Sequence, residues 1–194
     1  MKKFFVVLLL CFNIAAVIAI VGRSNANIAP AEKITGRNVF IGASPKPFIP
    51  SSEKIREMLR KYGLSIKQTS HENGFTPQTI AATIYVESGG NPKAKGSKGE
   101  IGCMQVMPAT AKFIEEKFGF RGDLENCSYN MRVGTKYLAY LHDTHKFEYA
   151  YQTLAAYNIG PGNVMEYPRK KLPEESMKYL QKIQDTIERM PKHW

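Results

Sequence analysis

Apolar residues recur at helical spacing along most of the chain, and the strict alternation that marks half-buried strands is sparse. After Ser51, the residues Ile55, Met58, Leu59 and Tyr62 fall at i, i+3, i+4 and i+7, which predicts a helix closed by Gly63. Thr76 followed by Pro77 is a capping residue with proline in the first turn, so a second helix is predicted from there. Its apolar stripe is Ile80, Ala81 and Ile84, and Gly89–Gly90 stops it. Glu87 lies seven residues after Ile80, which aims its carboxylate the same way as the buried side chains. Further helices are expected at about 108–118, 129–146, 148–158 and 174–190, the last with Met177, Leu180, Ile183 and Ile187 on one side. The pattern predicts a mainly α domain over residues 51–194, with no long internal repeat.

Two segments precede that domain. Lys2 and Lys3 stand before an apolar run from Phe4 to Gly22, and Ser24-Asn25-Ala26 has the small-x-small form of a cleavage site. Residues 1–26 therefore read as a signal peptide. The alternative is a retained N-terminal anchor, since 19 residues make about 28 Å of helix. Either way the remainder is expected to be exported, to the periplasm or cell envelope, touching membrane only through this segment. Residues 27–50 carry Pro30, Pro45, Pro47 and Pro50 with little periodicity, and read as a tether.

Charge narrows the partners. The chain carries a net charge of +10, and losing Lys2, Lys3 and Arg23 with the leader removes three of those charges. A basic exported protein suits an anionic envelope. Its positive residues are spread out, with short runs such as Arg169–Lys170–Lys171 and no RNA-binding aromatic signature, so nucleic acid is not expected. Cys103 and Cys127 remain after the leader is removed. They are a candidate disulfide in an oxidising compartment, or else two buried reduced thiols. His142 and His145 could share a helix face, but no HExxH or CxxC accompanies them. They are expected to be solvated, and no metal or cofactor is expected.

The chemistry concentrates at Glu87. It follows an apolar helical run, stands at a helix C-terminus where the macrodipole is negative, and precedes a glycine-rich return that can exclude water. All three influences disfavour the ionised form. A glutamic acid still protonated near neutrality is the state a general acid needs to protonate a glycosidic oxygen.

The segments ESGGNP (87–92), GEIGCMQVMPATA (99–111) and LAAYNIGPGNV (154–164) occur in that order. Together they closely resemble the soluble lytic transglycosylase family, lysozyme-like enzymes that cut bacterial peptidoglycan. A fourth segment, LPEESMKYLQKI (172–183), resembles the family's closing helix. The resemblance implies a lysozyme-like catalytic domain with a substrate groove, Glu87 as catalytic acid and then base, and a groove lined by Ser88, Met104, Gln105, Tyr157, Asn158 and Tyr179. Amides suit sugar hydroxyls and N-acetyl groups, and a tyrosine offers a flat face and a hydroxyl. Each also has a plainer role: Met104 and Met107 as core, Ser88 as a helix-end cap, Asn158 as a turn former. The chain departs from the family pattern at Cys103 for leucine, Gly96 for serine, and Glu100 and Ile159 for small residues.

Most glycosidases need two carboxylates. The aspartates Asp123, Asp143 and Asp185 lie in no matching motif, and Glu100 is the nearest second candidate. The resemblance instead implies one acid. Glu87 protonates the oxygen between N-acetylmuramic acid and N-acetylglucosamine, then takes the proton of the muramic C6 hydroxyl as a 1,6-anhydro ring closes. Lysozyme-type hydrolysis with Glu100 is the alternative, and a non-catalytic wall-binding or scaffold protein is another. The expected partner is the peptidoglycan glycan strand; a secretion or conjugation complex is a further expectation drawn from the family and the compact size.

Overall fold

Ser51 opens the first helix, α1 (Ser52–Glu72), with its hydroxyl accepting the Lys54 N–H at 3.3 Å and Glu53 in the first turn facing the positive end of the dipole. The structure, a computed structural model, describes residues 48–165 and 172–194. The leader, almost all of the tether, and the basic run at 169–171 lie outside the described residues. The last tether residues pack on the domain: Pro50 is buried, Phe48 meets Tyr85 edge-on at 6.5 Å, and Ser51 N–H donates to the Tyr85 hydroxyl at 2.8 Å.

Gly63 does not end α1. The stripe of Ile55, Met58 and Leu59 continues through Ile66, Thr69 and Ser70, all buried, so the helix gains more from packing than the ~1 kcal/mol an interior glycine costs. The Gly63 side faces Trp194, whose ring lies 3.8 Å from where a Cβ would stand.

α2 (Pro77–Ser88) is capped by the Thr76 hydroxyl on Thr79 N–H. Six of its twelve residues, Thr79–Ile84, are buried in succession, so the middle of this helix is enclosed on every side rather than amphipathic. It packs between α1 and α7 (Glu174–Glu188). Full burial of Ile80 and Ile84 stabilises the fold by about 1.5–3 kcal/mol each. Gly89 adopts φ 65°, a left-handed conformation that ends the helix without the Cβ penalty of another residue.

The chain then returns through a loop with two isolated antiparallel bridges, Lys95 to Ile101 and Ile101 to Val106; the described residues contain no longer strand. Three helices follow: α3 (Pro108–Phe118), α4 (Cys127–His145) and α5 (Ala150–Ile159). A short α6 (Pro161–Met165), not predicted from periodicity, precedes α7. α4 packs against α1, α3 and α5, and α5 against α4, α6 and α7. His142 is buried rather than solvated, because it stands one turn after Leu138 on the α4 face that meets α5. There its Nδ1 lies 3.3 Å from the Thr153 hydroxyl. Among the described residues no helix is long and apolar enough to cross a membrane.

Candidate active site

Glu87 is the penultimate residue of α2, carried to the rim of the core by the enclosed helix beneath it. Its carboxyl lines a cavity of about 450 Å³ together with Gly96, Lys98, Glu100, Gln105, Tyr137, Tyr157 and Asn158. α7 brings Tyr179 against it from the other side, and the phenol donates to Glu87 Oε1 at 2.8 Å. Burial is the largest influence on Glu87 and pushes its pKa up from 4.5 to about 7. The Tyr179 hydrogen bond favours the ionised form and opposes the rise, while the nearby charge of Glu100 adds to it. Burial and the Glu87 charge hold Tyr179 and Tyr157 well above the ordinary phenol range, so both remain donors.

The return loop is fastened at both ends of its course. Ser88 Oγ donates to Cys103 O at 2.8 Å and accepts from Gly90 N–H and Asn91 N–H, which binds the helix end to the loop behind the cavity. Asn130, buried in α4, accepts from Met104 N–H at 2.7 Å and donates to Ile101 O and Leu124 O. Cys103 and Cys127 form a disulfide with Cα atoms 5.4 Å apart, tying the loop to the first residue of α4. Gln105 holds a left-handed φ of 49°, uncommon for a residue with a Cβ. Its amide donates to Ala94 O and Gly102 O at 3.2 and 2.9 Å, which fixes that backbone and leaves the side-chain oxygen toward the cavity.

The six residues expected to line a groove separate into two sets. Gln105, Tyr157 and Asn158 line the cavity, and Tyr179 reaches it through Glu87. Ser88 is a structural tie. Met104 is fully buried, so its side chain forms the floor beneath the groove rather than its lining. Its carbonyl accepts the Tyr157 hydroxyl at 2.8 Å and its sulfur meets the Thr135 hydroxyl. Gly134 allows this approach, since a Cβ there would stand 2.8 Å from the Met104 sulfur and 3.0 Å from the Tyr157 oxygen. Asn158 lines the cavity, and its Oδ1 is buried with no hydrogen-bond partner. Among the residues that sequence reasoning did not single out are Tyr137, Lys98, Asn130 and Gly134. An asparagine and a glycine inside an apolar α4 pattern were the available signals, because both residue types weaken a helix interior unless tertiary packing needs them.

The site thus combines a sheltered glutamic acid that retains its proton with amides and phenols at the wall of one cavity, an arrangement able to deliver a proton to a bound polar ligand. Residues 65–180 match the Transglycosylase SLT domain, and the chain belongs to that family. It is 29% identical over 117 residues to membrane-bound lytic murein transglycosylase E of Buchnera aphidicola, covering 56% of this chain and 53% of that protein. Against membrane-bound lytic murein transglycosylase C of Actinobacillus pleuropneumoniae it is 35% identical over 124 residues, covering 58% of this chain and 34% of the relative. The chain thus spans about half or less of the length of these relatives. Among solved structures, the 70 kDa soluble lytic transglycosylase of Escherichia coli superposes with a TM-score of 0.60 at 26% identity, covering 66% of this chain and 24% of that one. An inactive glutamate-to-glutamine mutant of lytic transglycosylase Slt from Pseudomonas aeruginosa gives 0.59 at 25% identity, covering 65% and 23%.

Proposed function

We propose that this protein is a lytic murein transglycosylase in which Glu87 serves as general acid and then as general base. The observation that carries the reading is the state of Glu87: a carboxyl at the cavity wall whose pKa of about 7 keeps the proton available near neutrality. In the first step the Glu87 proton goes to the oxygen linking N-acetylmuramic acid to N-acetylglucosamine, and the C1–O bond breaks. The muramic N-acetyl oxygen, from the substrate itself, stabilises the cationic carbon. The Glu87 carboxylate, now steadied by the Tyr179 hydroxyl, takes the proton of the muramic C6 hydroxyl. The freed C6 oxygen bonds to C1, closing the 1,6-anhydro ring without consuming water. The side-chain amides of Asn158 and Gln105, both lining the cavity, suit N-acetyl groups and sugar hydroxyls.

The Pseudomonas neighbour is an inactive mutant with glutamine in place of a glutamate, which supports a glutamate-dependent reaction for this chain as well. Glu87→Gln is expected to keep the fold and lose roughly 10²–10⁴ of the activity on purified peptidoglycan. Wild-type clearing by that variant on a peptidoglycan gel would end the proposal, and a wild-type chain that binds wall material but never clears it would make this a scaffold. A second reading, lysozyme-type hydrolysis, is favoured by one observation: Glu100 lines the same cavity as Glu87. Mass spectrometry of the released muropeptides separates the two, with products one water lighter for the transglycosylase and reducing ends for the hydrolase. Export to the periplasm or envelope, and service to a secretion or conjugation machine, belong to the same proposal. The leader-like pattern at 1–26 and the basic charge support export; cell fractionation tests it, and affinity capture of the envelope complex tests the partner.

A further inference from the structure

Gly96 and Glu100 meet in space beside the cavity that Glu87 lines. A Cβ placed on Gly96 would stand 2.3 Å from Glu100 Oε2 and 2.9 Å from Gln105 Oε1, closer than real Cβ atoms come. The missing side chain is the room that the Glu100 carboxylate occupies. Lys98 N–H donates to Glu100 Oε2 at 2.9 Å and holds that carboxylate, while Gly96 N–H donates to the Glu100 backbone carbonyl at 2.9 Å and closes the loop around it.

We propose that Glu100, seated in the space open at Gly96, is a positioning residue that acts through Glu87 as a second carboxylate in the same cavity. Two negative charges at the wall of one cavity repel, so the Glu100 charge favours the protonated Glu87. The groups around Glu87 come from every element that packs on it. α7 supplies the Tyr179 donor, which pulls toward ionisation; α5 and α4 supply Tyr157 and Tyr137 at the cavity wall; the loop supplies Glu100 and the cationic residue Lys98. Of these, Glu100 is the group whose charge reinforces the effect of burial on Glu87. The consequence for a general acid is a working range extended toward higher pH. This inference rests on Glu87 as the acid of the proposed reaction.

Glu100→Gln tests it, because the amide keeps the size and the acceptor for Lys98 N–H and removes the charge. Glu87 is titrated by carboxyl ¹³C NMR in the full chain, beside the pH profile of kcat/KM on peptidoglycan. In the variant, the Glu87 midpoint and the basic limb of the profile are expected to move together to lower pH. The ratio of activity at about pH 8 to that at about pH 5 falls with them. Gly96→Ser displaces the same carboxylate by volume and should shift the midpoint in the same direction. An unchanged or raised Glu87 midpoint in both variants overturns the role of Glu100. If the wild-type chain releases no product at any pH, the proposed reaction fails, and the NMR titration still decides the effect of Glu100.

Discussion

Replacing Glu87 by glutamine should alter stability in a pH-dependent way that is separable from any loss of activity. The unfolded carboxyl titrates near 4.5 and the folded one near 7. Between those values the unfolded chain has released a proton that the folded chain still holds. Unfolding free energy then falls with rising pH by about 1.4 kcal/mol per pH unit. Across the window the ionisable Glu87 costs the native state roughly 3 kcal/mol, fully present above about pH 7 and absent below about pH 4.5. Glutamine carries no such slope, and its altered bond to Tyr179 adds only a constant offset. Urea unfolding of both proteins at a series of pH values, followed by far-ultraviolet circular dichroism, measures the difference. The variant should gain on the wild type by roughly 3 kcal/mol between about pH 4 and pH 8, or on the order of 6–12 °C in midpoint for a domain of this size. A difference that stays flat, or that falls as pH rises, would refute the claim that burial keeps this acid protonated.

Two other perturbations probe neighbouring parts of the same structure. Tyr179→Phe removes the bond that favours ionised Glu87, so the Glu87 midpoint and the basic limb of the pH–rate profile should move to higher pH, opposite to Glu100→Gln. A shift to lower pH in that variant would show that Tyr179 acts otherwise. Cys103→Ser opens a cross-link spanning 24 residues and should lower stability by about 3 kcal/mol by the loop-entropy relation. Wild type in reductant should unfold at the same urea concentration as the variant. Two titratable thiols from Cys103 and Cys127 in unfolded, unreduced protein would remove the basis for the expectation.

Local signals were enough where the chain's own neighbours decide the outcome. Thr76-Pro77 starts α2 and Gly89 stops it because the cap hydroxyl, the fixed proline φ and the left-handed glycine act within a few residues. They failed at Gly63, where burial of Ile66 and Ser70 by distant helices outweighs a local breaker. His142 was misjudged for the same reason: the face of α4 that becomes buried depends on where α5 packs. At the site, the motif order drew attention to Gln105, Tyr157 and Asn158, yet could not tell a lining side chain from one that supports it. Met104 and Ser88 stand in those same motifs and turn inward, Met104 because α4 offers it the space at Gly134 and Ser88 because Cys103 O lies 2.8 Å from its hydroxyl.

Read as a string, the chain already decides where its longer helices lie, that one glutamate stands at the end of an apolar helical run, and which segments belong together. These depend on spacing, and spacing is preserved however the helices pack. Only folding decides the acidity of Glu87, because that acidity is set by groups far away in the chain. Tyr179 comes 92 residues later from α7, and the Glu100 charge arrives through a loop that Asn130 and the Cys103–Cys127 link hold in place. A proton's affinity for a carboxyl follows the charges, dipoles and water within a few ångströms of it, and no linear pattern specifies those distances.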